Sequence, residues 1–409
     1  MRVLMMGPWA IERPRHGGQI RADAIVKAYR SHGHEVMFIG VVDGAAVPRA
    51  DMGPHDLAID DSIHDFIRRS GLPWQISLWR ALAEIPEQLA HFARLVRQFR
   101  PDIVEMEEPY LWRVVQALQR AELLNGARIV HSAYNFETDY RRELARITGS
   151  VHENILMDVA ETEREIASMA DLVVAVSDAD AESFRKIGAA TVTVARNGCR
   201  EIQPEPDALQ AVDAYFGHKP FALFVSSAHP PNAQGLLDLA PPLRARLPGQ
   251  LAVCGSVCEL LEEHRRSSAM LRHARFMGTI DFDLLDALLT RAAVVLLPKT
   301  KGGGSNLKTS EALLSYRPVV ATSKAFVGFE QWRDVPGVTV SDEAADFWDQ
   351  VCWHLANPAT TSDTWRNGRH GLSWADCLLP MVQAVERLAS NTPSRSLSVT
   401  ALAPGVEVG

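Results

Sequence analysis

Short apolar runs rich in β-branched residues alternate with longer amphipathic segments through the first half of the chain. The strand-like runs cover residues 3–6, 34–42, 102–105, 128–131, 172–176 and 191–194. Runs with so few polar interruptions are typical of parallel strands that are covered on both faces of a sheet. The amphipathic segments 18–31, 82–99 and 151–169 are long enough to be crossover helices. This pattern predicts a doubly wound α/β domain.

The second half repeats the alternation after a polar, proline-containing stretch at 199–220, which is typical of a linker. Strand-like runs at 221–225, 250–253, 274–277, 293–297 and 318–321 alternate with helical patterns at 232–247, 260–268, 282–291 and 306–316. We therefore predict two Rossmann-like parallel-sheet domains that face a cleft, spanning residues 1–200 and 201–375. A helix at 376–390 is predicted to pack back towards the N-terminal domain, and 391–409 is predicted to be a disordered tail.

Composition and charge limit the classes of partner. A net charge of −8 argues against a broad basic surface for nucleic acid. Five cysteines without zinc-ligand spacing indicate reduced thiols in a cytoplasmic protein. Apolar runs of bilayer length are absent from the sequence, so we expect any membrane contact to be peripheral, at the inner face. The basic, aromatic region around 82–99 suits such contact, although Glu84 and Glu87 favour an ordinary solvated helix face.

The segment with the clearest chemistry is 296–311, which reads LLPKTKGGGSNLKTSE. A buried strand runs into a glycine-rich loop and then into a helix, whose first N–H groups are left without intrahelical partners. Such a helix start binds anions, and glycines let the backbone approach a diphosphate closely. Positive charge is available from Lys299, Lys301 and Lys308. Glu311 follows Lys308 on the same helical face, where a carboxylate suits ribose hydroxyls. The alternative is a turn capped by Ser305 or Asn306, with Glu311 as an ordinary surface residue.

Residues GGGSNLKTSEAL at 302–313, followed by RPVVAT at 317–322, resemble the donor-site signature of the group 1 (family 4) glycosyltransferases of GT-B fold. Further landmarks occur in the family's order: Gly17-Gly18, PDIV at 101–104, NFE at 135–137 and RNG at 196–198. The resemblance implies an acceptor domain followed by a domain for a nucleotide-diphosphate sugar, and transfer with retention. It implies that Glu311 binds the ribose and that Gly17 and Gly18 close over the phosphates. The diphosphate would contact the backbone of Gly304, Ser305, Asn306 and Leu307.

The candidate catalytic residues are Lys308, Lys299 and His131. The two lysines would stabilise the departing diphosphate. The family's His-Asn-Val-Glu reads Tyr134-Asn135-Phe136-Glu137 here, so His131 at the end of the preceding strand is a candidate replacement for the missing histidine, with a purely structural role as the alternative. His229 and Asn232, in the first loop of the second domain, are candidate donor contacts.

We expect neither a metal ion nor a cofactor, because the nucleotide sugar is a substrate. The chain has no D-x-D pair at a strand end, because the residues at 281–283 (DFD) open a helix, where acidic side chains favour the helix dipole. A glycan, a lipid-linked molecule and a small molecule all remain open as acceptors. Two other functions use the same fold: a nucleotide-sugar epimerase, and a noncatalytic subunit that binds a sugar for a partner enzyme.

The donor sugar is expected to be recognised in an unusual way. Many relatives carry a glutamate at the position of Gly303, which is separated from Glu311 by seven residues. A pocket without that carboxylate does not leave a buried acceptor unpaired when the sugar lacks a hydroxyl, so the penalty against deoxy sugars is lost. We predict that dTDP- or GDP-linked deoxyhexoses are used at least as well as UDP-glucose. Competition between these donors tests this, and a strong preference for a fully hydroxylated hexose would contradict it.

Overall fold

The computed structural model describes residues 1–72, 74–149, 153–240, 247–302, 305–358 and 363–390. Gly303, Gly304 and the tail predicted at 391–409 lie outside the described residues. The structure contains two parallel sheets, each with its own hydrophobic core. The predicted fold class, two doubly wound parallel-sheet domains, is confirmed.

The N-terminal sheet has seven strands in the order β3-β2-β1-β4-β5-β6-β7, and every pair is parallel. The strand order reverses between β1 and β4, which is where ligands bind in open α/β sheets. The strands are β1 Arg2–Gly7, β2 Glu35–Asp43, β3 Leu57–Ile59, β4 Ile103–Met106, β5 Arg128–Ser132, β6 Leu172–Ala175 and β7 Val192–Val194. The helices are α1 Gly17–Ser31, α2 Asp61–Ser70, α3 Trp74–Glu84, α4 Pro86–Phe99, α5 Trp112–Arg120, α6 Glu137–Thr148, α7 Glu153–Met169 and α8 Asp178–Lys186.

The C-terminal sheet has six parallel strands in the order β10-β9-β8-β11-β12-β13, with the reversal between β8 and β11. The strands are β8 Phe221–Val225, β9 Gln250–Cys254, β10 Arg275–Gly278, β11 Val294–Leu297, β12 Val319–Ala321 and β13 Val338–Val340. The helices are α9 Pro206–Phe216, α10 Pro230–Asp238, α11 Val257–Glu262, α12 Ala269–Arg272, α13 Phe282–Arg291, α14 Leu307–Leu314, α15 Ala344–Ala356, α16 Asp363–Gly368 and α17 Trp374–Ser390.

Strand β1 shows why the strands are predominantly apolar. Leu4 and Met6 point into a core formed with helices α3, α4 and α5, whereas Val3 and Met5 point into a second core on the opposite face of the sheet. Successive side chains of a strand alternate between faces, so a sheet covered on both sides needs apolar residues throughout. The unbroken apolar pattern of the sequence follows from this double coverage.

Helix α17 returns from the second domain to the first. The chain crosses between domains twice, and the crossings run side by side, with the Cys199 amide donating to the Leu372 carbonyl at 2.8 Å. Beyond the second crossing, α17 packs on α1 and places Leu378, Met381, Val382 and Val385 in the same core as Val3 and Met5. The last described helix therefore completes the N-terminal domain.

Adjacent leucines in α17 provide a matched test of this packing. Leu378 is fully buried, whereas Leu379 is 39% exposed. We predict that Leu378→Ala lowers the free energy of unfolding of the N-terminal domain by about 2 to 5 kcal/mol, because it leaves a cavity in the core. Leu379→Ala should change it by less than about 0.5 kcal/mol. Urea unfolding followed by circular dichroism measures both, and equal effects would contradict the packing of α17.

Candidate active site

The glycine-rich loop ends at the start of α14, where the Asn306 side chain acts as the helix cap. Its Oδ1 accepts a hydrogen bond from the Lys308 amide at 3.3 Å, and its backbone carbonyl accepts one from the Thr309 amide at 2.9 Å. The positive end of the helix dipole faces the loop that follows β11. The local order of strand, loop and helix is as the sequence predicts.

Four predicted site residues come together in front of this helix. Asn232, Lys299, Asn306 and Lys308 line one narrow cavity, together with residues of β8 and β11. Asn232 is oriented by its side-chain amide, which donates to the Ser227 carbonyl at 3.2 Å. Residues from the first loop of the domain and from the glycine-rich loop, about 70 positions apart in the chain, therefore share one site, in the crevice where α/β sheets bind ligands.

Glu311 is held by the lysine one turn before it. The Lys308 ammonium lies 2.8 Å from Glu311 Oε2, and Glu311 is only 8% exposed. A charge-assisted hydrogen bond of this kind fixes both side chains beside the helix start. A cation and a hydrogen-bond acceptor thus stand next to each other, as recognition of a phosphate and a neighbouring hydroxyl requires.

Lys299 is a partly buried lysine that follows β11. Burial, followed by the nearby charge of Lys324, lowers the pKa of its ammonium to about 8, against the opposing effect of Glu143 and Asp180. Lys324 itself pairs with Glu143 of helix α6 at 2.6 Å. Positive charge is therefore concentrated on the C-terminal side of the cleft. Through its ion pair with Glu143, Lys324 also links this side to the N-terminal domain.

The loop at residues 8–16 carries the other wall of the cleft, and glycine is required at its end. A Cβ added at Gly18 would lie 2.2 Å from the Trp9 ring, closer than any side chain permits. A Cβ added at Gly17 would lie 3.7 Å from Leu307 Cδ2, so the starts of α1 and α14 meet across the cleft. Gly17 therefore lies opposite the start of α14, and Gly18 is next to it in the chain.

His229 precedes helix α10 and faces the N-terminal domain. Its Nε2 lies 2.6 Å from the Tyr140 hydroxyl, and the two rings are stacked with centroids 5.8 Å apart. Burial, followed by the charge of Lys299, lowers its pKa. His229 therefore lies at the cleft, where its contact with Tyr140 links the two domains.

His131 is placed differently from the other predicted residues. Its side chain is fully buried, its Nδ1 lies 3.3 Å from the Met106 carbonyl, and its ring packs edge-on against Phe184. Burial lowers its pKa to about 4. Because the ring points into the core beside α8, the structure does not bring His131 together with Lys299 and Lys308, and its surroundings are those of a structural residue.

A group of buried carboxyl groups follows β4 and was missed by the sequence interpretation. Glu107 is fully buried and accepts a hydrogen bond of 2.7 Å from Tyr134, the residue at the position of the family's histidine. Glu105 accepts one from Tyr29 at 2.6 Å. Burial raises the pKa of Glu107 well above its usual range, and raises that of Glu108 to about 8, with a contribution from Glu137. The sequence does carry a signal for this group, because three of the four residues 105–108, at the end of a buried strand, are glutamates.

Arg21 is a second residue that the pattern did not reveal. It is 1% exposed and donates from Nη1 to Asn197 Oδ1 at 3.0 Å and from Nη2 to the Ala195 carbonyl at 3.0 Å. Asn197 in turn donates from its amide to the Ser305 carbonyl at 2.9 Å. A continuous chain of hydrogen bonds therefore runs from α1, through the segment just before the linker, to the residue before the α14 cap.

Two classes of feature are absent from the part of the chain that the structure describes. It contains no group of three or more His, Cys, Asp or Glu side chains arranged to hold a metal ion, and no helix long and apolar enough to cross a membrane. Asp281 acts as a helix cap, since its Oδ1 accepts a hydrogen bond from the Leu284 amide at 2.9 Å.

Two family models match the chain, one for each domain. Residues 16–198 match the glycosyl transferase 4-like domain, and residues 219–357 match the glycosyl transferases group 1 domain. The second match includes the glycine-rich loop, Lys308 and Glu311. No curated protein matches the sequence.

Solved structures with the same two-domain fold are numerous. Sucrose-phosphate synthase from Thermosynechococcus elongatus is similar over 95% of this chain and 99% of its own, with 16% identity and a TM-score of 0.70. Anabaena HepE in complex with UDP and glucose is similar over 95% of this chain and 100% of its own, with 17% identity and a TM-score of 0.67. The catalytic domain of Arabidopsis thaliana starch synthase IV, bound to ADP and acarbose, is similar over 96% and 99%, with 11% identity and a TM-score of 0.64. These similarities confirm the GT-B fold.

The buried carboxyl of Glu108 predicts a pH-dependent stability. Between pH 4.5, its ordinary pKa, and about 8, the folded protein keeps a proton that the unfolded chain has lost, so the free energy of unfolding falls as the pH rises. We predict that Glu108→Gln raises the melting temperature more at pH 8.5 than at pH 5, because glutamine carries no charge to bury. Exposed Glu259→Gln is the control. A Glu108→Gln effect that is the same at both pH values would contradict the prediction.

Proposed function

Because this chain belongs to the group 1 glycosyltransferases, we propose that it transfers a sugar from a nucleotide-diphosphate donor held by the C-terminal domain to an acceptor held by the N-terminal domain. The observation that carries the proposal is the convergence of Lys299, Asn306 and Lys308 at the start of α14, with Glu311 one turn behind them. An anion site beside a fixed carboxylate matches a diphosphate joined to a ribose.

The roles of the residues follow from their positions. The Ser305, Asn306 and Leu307 backbone and the Lys308 ammonium bind the diphosphate, and Glu311 accepts hydrogen bonds from the ribose hydroxyls. Gly17 and Gly18 cover the phosphates from the other side of the cleft. The complexes of Anabaena HepE with UDP and with UDP-glucose support a donor of this class, since that protein shares the fold.

The chemistry requires charge stabilisation at the leaving group. The bond between the anomeric carbon and the diphosphate oxygen breaks, the diphosphate takes the electron pair, and the sugar becomes positively charged in the transition state. A helix start and two lysines near that oxygen lower the barrier, because they meet a charge that develops only as the bond breaks. We propose that these groups act without a metal. The acceptor hydroxyl oxygen bonds to the anomeric carbon with retention of configuration, while its proton passes to the departing diphosphate oxygen.

The first experiment is a thermal-shift screen with UDP, GDP and dTDP sugars, followed by NMR of the products. Binding at a hundredfold excess over Kd stabilises a protein by about 2.7 kcal/mol. Incubation with donor alone separates transfer from epimerisation, since an epimerase would release a changed sugar without any acceptor. A purified protein that neither binds a nucleotide sugar nor transfers one would contradict the proposal.

We predict that Glu311→Gln weakens donor binding by about tenfold or more, because a hydrogen bond to a charged group contributes roughly 1.5 to 3 kcal/mol. Calorimetry with the donor found in the screen measures the change. Glu259→Gln, on the surface of α11, is the control and should bind as the unmodified protein does. The melting temperature without nucleotide checks that the variant is folded, and unchanged affinity in a folded variant would remove Glu311 from the ribose site.

A further inference from the structure

The N-terminal domain contains a cavity of about 220 Å³ that none of the proposed donor contacts fills. It lies at the carboxyl ends of β1, β2 and β3, the edge of the sheet where α/β domains bind ligands. Three indoles contribute to its wall, those of Trp9, Trp74 and Trp79, together with aliphatic side chains. We call this space the tryptophan cavity.

The tryptophan cavity adjoins the loop that faces the donor site. Trp9 forms part of its wall, and the same indole lies on Gly18, next to the residue that meets Leu307 of the donor helix. Trp9 is fixed in place, since its ring contacts His16 and Tyr134 at centroid distances of 4.6 and 5.5 Å. A molecule in the cavity would therefore lie one side chain away from the glycine loop over the phosphates.

The lining shows which chemistry the cavity favours. Gln19 and Asp43 are its polar side chains, and most of the wall is aromatic or aliphatic. Gln19 is already occupied, because it donates to the Ala10 carbonyl and accepts from the Arg15 amide, both at 2.8 Å. Asp43 Oδ1 already accepts a hydrogen bond from the Ala45 amide at 2.9 Å. A sugar ring with several hydroxyls would therefore find few partners here for the hydrogen bonds to water that it loses. An apolar group would lose nothing.

The size of the tryptophan cavity suits an aromatic ring. An apolar cavity of about 150 Å³ is known to bind benzene, so this larger space has room for one or two fused rings. Indole faces and edges also pair favourably with other aromatic rings. We propose that the acceptor is a hydroxyl compound that carries an aryl group, and that the tryptophan cavity binds this group. The inference rests on the proposed glycosyl transfer and specifies its acceptor.

The test uses three probes that differ only in their apolar group: methyl, phenyl and octyl β-D-glucopyranoside. Each is titrated by calorimetry into the full chain saturated with UDP, or with the nucleotide that the screen identifies. The phenyl glycoside should bind about tenfold more tightly than the methyl glycoside, because burying an aromatic ring contributes on the order of 1.4 kcal/mol or more. Equal affinities, or tightest binding of the octyl glycoside, would overturn the aryl assignment.

Variants locate the binding in the tryptophan cavity. Val47→Trp fills the space from an outer loop and should abolish the preference for phenyl over methyl, whereas Ala46→Trp, at an exposed neighbouring position, should keep it. If Val47→Trp does not fold, Trp74→Ala serves instead, because Trp74 is 42% exposed and its loss should weaken only phenyl binding. A phenyl preference that persists in the folded variant would overturn the location.

The nucleotide-induced thermal shift separates failure of this inference from failure of the proposed function. A protein that nucleotides stabilise but that shows no phenyl preference retains its donor site and overturns only the aryl acceptor. A protein that no nucleotide stabilises overturns the proposed transfer, and with it the acceptor that depends on it.

Discussion

The junction between the two domains depends on one buried cation, the guanidinium of Arg21 in α1. Burying a charge without partners costs several kcal/mol, so such a group must be surrounded by acceptors. Arg21 finds them just before the linker, at the Ala195 and Arg196 carbonyls and at Asn197, while Glu105 and Glu107 supply opposite charge. The segment that leads into the linker is thereby tied to α1. Because Asn197 also donates to the Ser305 carbonyl, the residue before the α14 cap is tied to the same cation.

Helix α1 consequently has three functions at once. Its first residue, Gly17, faces Leu307 across the cleft, its buried face packs beneath the sheet, and Arg21 anchors the linker. The return of α17 to pack on α1 adds to this, since it buries the surface of the helix that would otherwise face solvent. The spacing between the starts of α1 and α14 therefore depends on how α1 is fixed.

The sequence predicts those parts of the structure whose residues are consecutive. The glycine-rich loop and α14 are contiguous, so the order of strand, loop and helix with its lysines can be predicted from the sequence alone. The edge strands β3 and β13 have three residues each and were not predicted, whereas β7 and β12, which are equally short, were. The helix predicted at 82–99 is divided by Pro86, which begins α4. The contact of Glu107 with Tyr134 spans 27 positions and exists only because β4 and β5 are neighbours in the sheet.

The two walls of the cleft differ in charge, which favours one orientation of an anionic ligand in the cleft. The C-terminal wall presents the α14 dipole and the cations Lys299, Lys308 and Lys324, whereas the N-terminal wall presents carboxyl groups. Those carboxyl groups are buried. Glu107 interacts with the guanidinium of Arg21, and burial raises the pKa of Glu108 to about 8, so that Glu108 keeps its proton near neutral pH. Neither group therefore adds much repulsion to an anion on the opposite wall. A wall of buried acids and indoles faces a wall of cations, so an anionic ligand is drawn to the C-terminal side of the cleft.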